Sequence, residues 1–236
     1  MKFFQMDSPL MNFLNKAADL MWLNILALIC CIPIVTAGAS FTALHYVALK
    51  IVRNEESYIT RGFLKSFKQN FKQATAIWLI LLLAMLLLAG DFYIIFYSGM
   101  EFNVVIKVII MAAIVLVAFV ATFVFPLLAK FDNTVKQTIK NAFFMSIMQL
   151  PKTILMIVMN LAPIVLAMFS YKAFPIVFMF GLAVPASSSA MLYDKVFQKL
   201  EDKILEASGE QTTGEEDEHI FSDKVEGDAT DVNSRI

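Results

Sequence analysis

The chain has 236 residues, of which 59% are hydrophobic and 17% are charged, whereas an ordinary soluble domain has about 45–50% apolar and about 25% charged residues. Its net charge of −1 combines a basic body, with 17 Lys/Arg and 10 Asp/Glu in residues 1–205, and an acidic tail, with 2 Lys/Arg and 10 Asp/Glu in residues 206–236. This composition excludes an ordinary water-soluble globule and predicts an all-α, polytopic transmembrane helix bundle.

The first apolar run, Leu20–Ala37, reads LMWLNILALICCIPIVTA and is long enough for one membrane span. Residues 39–52 are also apolar but are short for a full span. Pro33, Gly38 and the small residues between them can turn the chain back into a hairpin. The sequence therefore predicts five hydrophobic spans, or six if residues 20–52 form a hairpin, and it leaves the side of the N-terminus open.

Residues 58–74 are predicted to form an amphipathic helix beside the membrane. Cations recur there at spacings of four, three and four, which places them on one helical face, and phenylalanines fill the adjoining arc. We call these residues the membrane-surface stripe: Arg61, Lys65, Lys68 and Lys72, with Phe63, Phe67 and Phe71. We expect the cations to face anionic lipid headgroups and the phenylalanines to enter the acyl boundary. The alternative is that the cations only fix the orientation of the chain.

Four later runs are predicted to cross the bilayer, and basic segments alternate between them. The runs are Thr75–Tyr97, Val104–Leu128, Thr153–Ser170 and Ala173–Leu192. Segments 53–74 and 129–152 and the residues after 192 are basic, whereas segments 98–103 and 171–172 carry almost no positive charge. Because basic loops stay in the cytoplasm, we expect a multi-pass protein of the cell membrane with a cytoplasmic C-terminus. Residues 1–205 would form the transmembrane domain, and residues 206–236 a disordered cytoplasmic tail.

Polar residues inside apolar spans are the first candidates for function. They are Asn24, Asp91, Lys107 and Asn160. Asp91 and Lys107 both fall near the predicted outer side, so we expect them to form a structural ion pair. Asn24 and Asn160 are expected to form hydrogen bonds between helices.

The sequence lacks the patterns that carry most enzyme chemistry. It contains no HExxH, no CxxC and no glycine-rich phosphate loop followed by Lys-Ser/Thr. Cys30 and Cys31 are adjacent, a placement that rarely meets disulfide geometry. We therefore expect no catalytic residues, no metal, no cofactor, no enzyme activity and no nucleic-acid partner.

Two stretches of the sequence are the most distinctive. The first, residues 23–80, contains PIVTAG, from Pro33 to Gly38, and FLKSFKQNFKQ, from Phe63 to Gln73. The second is FPLLAKFDNTVKQTIKNAFFMSIMQLP, residues 125–151. Both stretches resemble the YesL family of bacterial integral membrane proteins. The likeness covers about residues 1–200. The resemblance implies an α-helical membrane protein of unknown activity, and members of the family are often encoded near sugar ABC transporters and glycoside-degrading enzymes.

Two functions follow as hypotheses. The first is a non-enzymatic accessory or regulator linked to carbohydrate uptake, which binds the lipid bilayer and either sugar ABC transporter subunits or a second copy of itself. The alternative is a small transporter or permease component with a polar path through Asn24, Asp91 and Asn160. A water-lined cavity at mid-membrane would favour transport, whereas a solid core with an exposed apolar groove would favour partner binding.

Overall fold

A computed structural model describes residues 9–55, 58–97 and 102–208, and these ranges contain eight α-helices and no strand. In chain order the helices are α1 (Pro9–Cys31), α2 (Ala37–Arg53), α3 (Ile59–Tyr97), α4 (Val104–Lys130), α5 (Val135–Met148), α6 (Leu150–Phe169), α7 (Phe174–Phe180) and α8 (Ala183–Ser208). Single 3-10 turns, Ile34–Thr36 and Tyr171–Ala173, precede α2 and α7. The predicted all-α helix bundle is confirmed.

The chain divides into two compact units, Met1–Tyr193 and Asp194–Ile236. The first unit contains α1 to α7 and the beginning of α8, and every site described below lies in it. In the second unit, the structure describes the rest of α8. The predicted acidic tail, residues 206–236, lies outside the described residues from position 209 onward.

Five helices of the described ranges are long and apolar enough to cross a membrane: α1, α2 with its preceding 3-10 turn, α3, α4 and α6. The pair α7–α8 is a sixth candidate, bent by 51°. The predicted single run Leu20–Ala37 is wrong, because α1 ends at Cys31 and α2 begins at Ala37. Residues 20–52 instead form the alternative hairpin.

Side chains close the turn between α1 and α2. Pro33 lacks the N–H that a continuing helix needs. The Thr36 hydroxyl donates a hydrogen bond to the carbonyl oxygen of Cys30 at 2.7 Å, and Trp78 Nε1 on α3 donates one to the carbonyl oxygen of Ile34, also at 2.7 Å. These bonds satisfy carbonyl groups that the break in the helix would otherwise leave unpaired.

The core of the bundle is centred on α2, which packs against α1, α3 and α4. Small residues on α2 allow close approach of its neighbours. A Cβ atom added at Gly38 would lie 2.5 Å from Trp78 Cβ and 2.6 Å from the Ala74 carbonyl oxygen on α3. Large buried side chains complete the core, among them Leu44, Val47, Phe63, Ile77, Phe123 and Leu127.

Helix α3 is much longer than a single membrane crossing. Its 39 residues span about 58 Å at 1.5 Å per residue, whereas the hydrocarbon core is about 30 Å thick. Residues 59–74 form its first turns and carry the cations, and the uncharged apolar stretch from Thr75 to Gly90 follows in the same helix. About half of α3 therefore extends beyond the hydrocarbon.

The predicted span Ala173–Leu192 is not one continuous helix, although the pair α7–α8 is still a candidate for a broken span. Helix α7 ends at Phe180, and α8 begins at Ala183 after Gly181 and Leu182. Exposed backbone groups at such a break are unfavourable within a membrane unless other protein groups satisfy them. The asparagine that does so here belongs to α1 and is described below.

Candidate functional site

A basic groove lies between α1 and the first turns of α3. We define this basic groove by the residues that line it: Asp19, Trp22, Tyr58, Ile59, Thr60, Arg61, Leu64, Lys65 and Lys68. Its volume is about 950 Å³. Three cations face one carboxylate, so the lining carries a net positive charge. Trp22, Tyr58 and Leu64 are exposed and give it an apolar part.

Hydrogen bonds between helices fix the shape of this end of the bundle. Trp22 Nε1 donates to Thr60 Oγ1 at 2.8 Å and joins α1 to the beginning of α3. Lys16 Nζ donates to Asn54 Oδ1 at 2.7 Å and joins α1 to the end of α2. Asn54 itself adopts a left-handed conformation, with φ of 56°, which ends α2.

The cations of the membrane-surface stripe do not all lie in the same place. Arg61, Lys65 and Lys68 line the basic groove, whereas Lys72 lies outside its lining. Lys65 precedes the apolar stretch that begins at Thr75, and its pKa is lowered by partial burial and by the positive charges of Arg61 and Lys50. Loss of hydration is the main cause of the lowered pKa of Lys65, and the neighbouring cations add to it.

The phenylalanines of the stripe also divide. Phe63 is fully buried in the protein, whereas Phe67 is partly exposed and Phe71 is exposed. Phe63 lies on the same face of α3 as Ser66, Asn70 and Ala74, all of which are buried. The expectation that all three phenylalanines enter the acyl boundary is therefore wrong for Phe63, because this face of α3 packs against protein.

Asn24 is fully buried and uses both ends of its amide at the break between α7 and α8. Its Nδ2 donates to the carbonyl oxygen of Phe178 at 2.8 Å. Its Oδ1 accepts from the backbone N–H of Leu182 at 2.8 Å and of Ala183 at 2.9 Å. The predicted hydrogen bonding between helices is therefore seen for Asn24, which supplies partners to three backbone groups at the break.

Asn160 lies in a second groove, which is apolar. We call it the apolar groove: it has a volume of about 650 Å³ and lies between Met85–Phe92 on α3, Ile114–Thr122 on α4 and Ile157–Ile164 on α6. The Thr122 hydroxyl donates to the carbonyl oxygen of Ala118 within α4. The side chain of Asn160 is exposed and forms no hydrogen bond with any described residue, so the hydrogen bond predicted for it between helices is not formed within this bundle.

Asp91 and Lys107 do not form the predicted ion pair with each other in the described part of the chain. Asp91 is exposed on α3, and Lys107 is partly exposed near the beginning of α4. An ion pair elsewhere joins Lys50 and Glu55, at 3.8 Å. Sequence position placed Asp91 and Lys107 near the same end but could not show which way each helix face points.

The structure also does not bring the polar residues into one path. Asn24 is buried against the α7–α8 break, Asn160 opens into an apolar groove, and Asp91 lies on an exposed helix face. Sequence reasoning missed Trp22, Asp19 and Thr60 as partners of the stripe. An exposed tryptophan at the edge of an apolar run, as is typical of a membrane interface, was the available signal for Trp22.

The fold and these two grooves define a multi-pass α-helical membrane protein. A family model described as "Protein of unknown function, DUF624" matches residues 20–92. That segment contains all of α2, about half of α1 and most of α3, and with them Asn24, Gly38 and nearly all of the basic groove. No curated protein and no solved structure shows a significant match.

Proposed function

We propose that this protein is a non-enzymatic accessory or regulator of carbohydrate uptake, and that it acts by binding a transmembrane helix of a sugar ABC transporter subunit in the apolar groove. The observation that carries the proposal is the amide of Asn160, which lies in this groove without a hydrogen-bond partner among the described residues. Polar side chains in membrane helices usually bond to another helix. A partner helix with its own polar residue would supply that bond.

The groove also suits a helix by its shape and its lining. It is bounded by three helices, and almost all of the side chains that line it are apolar. Ala89, Ala118 and Ala121 leave room for the close approach that membrane helix packing needs. An exposed apolar groove of this kind is the feature that favours partner binding over transport.

The link to carbohydrate rests on the resemblance to the YesL family, whose members are often encoded near sugar transporters. We propose that this chain is a member of that family and that it lies in the cell membrane. The transporter alternative has less support, because Asn24 is hydrogen-bonded at the α7–α8 break and does not line the groove that contains Asn160.

Uptake of labelled oligosaccharides by the native host, with and without the gene, tests this function. We expect loss of the gene to reduce uptake of at least one sugar, and Ala118→Trp, which fills the apolar groove, to reproduce the loss. Val158→Trp is the matched control because Val158 is exposed on α6 outside this groove. Uptake that is unchanged without the gene would contradict the proposal. So would sugar transport by the purified protein alone in vesicles.

A further inference from the structure

Helix α2 and the second half of α1 lie beside the polar half of α3. Trp22, near the middle of α1, bonds to Thr60 at the beginning of α3, and Val47 of α2 lies beside Gly62. At the closed end, Trp78 bonds to the carbonyl oxygen of Ile34 in the turn, and Gly38 abuts Ala74 and Trp78. The hairpin therefore runs beside about residues 60–78 of α3, and its turn lies level with Trp78.

The apolar half of α3 continues well past this turn. From Trp78 to Tyr97 there are 19 helical steps, or about 28 Å at 1.5 Å per residue, nearly the full thickness of the hydrocarbon core of about 30 Å. The segment before Trp78 cannot replace it as the crossing segment, because Lys68 and Lys72 are exposed there. If residues 75–97 cross the bilayer, the turn of the hairpin lies close to the side on which α3 enters.

The tip of the hairpin has the composition of a membrane-inserted segment. Ile32, Ile34 and Val35 are 77%, 68% and 50% exposed, respectively. Three large aliphatic side chains exposed at one turn are unfavourable in water but favourable in lipid. The basic groove at the opposite end of the hairpin would lie in the headgroup region or beyond it, as its three cations require.

We infer that α1 and α2 form a re-entrant hairpin, which inserts its tip into one leaflet of the bilayer without crossing it, although each helix is long enough to cross. The surface that contacts lipid is the turn Ile32–Thr36. The partner is the acyl region of the leaflet nearest to the basic groove. Both ends of the hairpin then lie on the same side of the membrane as the beginning of α3.

Single cysteines labelled with a membrane-impermeant maleimide test this inference. The sequence has only two cysteines, so a full-length Cys30→Ala/Cys31→Ala protein gives a clean background. Val35→Cys reports on the tip of the hairpin. Val104→Cys reports on the side of the membrane where α3 ends and α4 begins, and Gln73→Cys reports on the side from which α3 enters. All three positions are exposed in the structure.

With reagent on the side from which Val104→Cys reacts, we expect Val35→Cys to stay unlabelled until detergent is added. A fluorophore at position 35 should also be quenched by lipids brominated on their acyl chains. Labelling of Val35→Cys together with Val104→Cys from the same side would mean that the hairpin crosses the bilayer, and would overturn the inference. Elution of each variant as the wild-type species in size-exclusion chromatography shows that it is folded.

Discussion

Asn24 and Asn160 have opposite surroundings. The Asn24 side chain is buried and bonds to three backbone groups, whereas the Asn160 side chain faces the apolar groove and bonds to none of the described residues. We expect Asn24→Leu to lower the free energy of unfolding by about 2–4 kcal/mol, because it leaves buried backbone groups unpaired. Asn160→Leu should leave stability unchanged or raise it slightly.

Thermal unfolding of both variants in the same detergent measures this difference. The same pair also separates structure from partner binding, since Asn160→Leu should reduce sugar uptake in cells without loss of protein. If Asn24→Leu unfolded at the wild-type temperature, the role of Asn24 at the α7–α8 break would be wrong.

Gly38 occupies a position that has no room for a side chain. Any Cβ at this position meets backbone and Cβ atoms of α3 within 2.6 Å, whereas a Cβ at Gly62 meets its first neighbour, Val47 Cγ2, at 3.8 Å. We expect Gly38→Ala to cost about 1–3 kcal/mol through overpacking. Gly62→Ala should be neutral or stabilising by up to about 1 kcal/mol, because alanine is the better helix former. Equal unfolding temperatures for the two variants would refute the close contact between α2 and α3.

At the scale of single helices, the basic groove is the main feature, and the spacing of the cations in the sequence predicted some of its lining residues. We propose that it binds anionic lipid headgroups, since Arg61, Lys65 and Lys68 converge there with Trp22. At about 1 kcal/mol for each cation near an anionic surface, Arg61→Gln/Lys65→Gln/Lys68→Gln should weaken binding of phosphatidylglycerol by roughly a hundredfold. Native mass spectrometry of the full chain with phosphatidylglycerol or phosphatidylcholine measures this.

A second triple variant removes the same charge elsewhere. Lys72, Lys136 and Lys140 are exposed and lie outside the groove, so Lys72→Gln/Lys136→Gln/Lys140→Gln should keep most of the preference for phosphatidylglycerol. Equal losses in the two triple variants would show that only total charge matters and that the groove is not a site.

The helical elements could be predicted from the sequence because long apolar runs are strong signals, but their breaks could not. PIVTAG was recognised as a point where the chain could turn, since Pro33 and Gly38 are local signals. The break at Gly181 was missed because the residues around it are apolar and small, and its stabilisation comes from Asn24, more than 150 positions away. Interactions between distant segments are invisible in the local pattern.

In the candidate sites too, some features could be predicted from the local sequence and others depend on how the helices pack. Spacing placed Arg61, Lys65 and Lys68 on one face, which depends only on the helical period. The burial of Phe63 depends on where α2 packs, and the absent contact between Asp91 and Lys107 depends on the rotation of two helices. Neither the packing position of α2 nor the rotation of these helices can be predicted from one sequence.

At the scale of the whole molecule, the basic segments predict one orientation. A reporter fused after Lys203 should be cytoplasmic, and one inserted near Met100 should lie outside, because segments 53–74 and 129–152 carry the positive charge. Alkaline phosphatase and green fluorescent protein fusions measure the two sides. A cytoplasmic reporter at position 100 would reverse the assignment. The expected sides of position 100 and of the C-terminus are the same whether the α1–α2 hairpin crosses the membrane or is re-entrant.

The central claim is that the apolar groove binds a helix of a sugar transporter, and site-specific photocrosslinking tests it most directly. A photoreactive residue at Leu161 lies in the groove, and one at Val158 lies on the same helix outside it; both native side chains are about half exposed. After illumination of cells of the native host, mass spectrometry identifies the adducts. We predict a covalent adduct with a membrane subunit of a sugar ABC transporter from position 161 and none from position 158. Lipid adducts alone, a second copy of this chain, or the same protein adduct from both positions would contradict the claim.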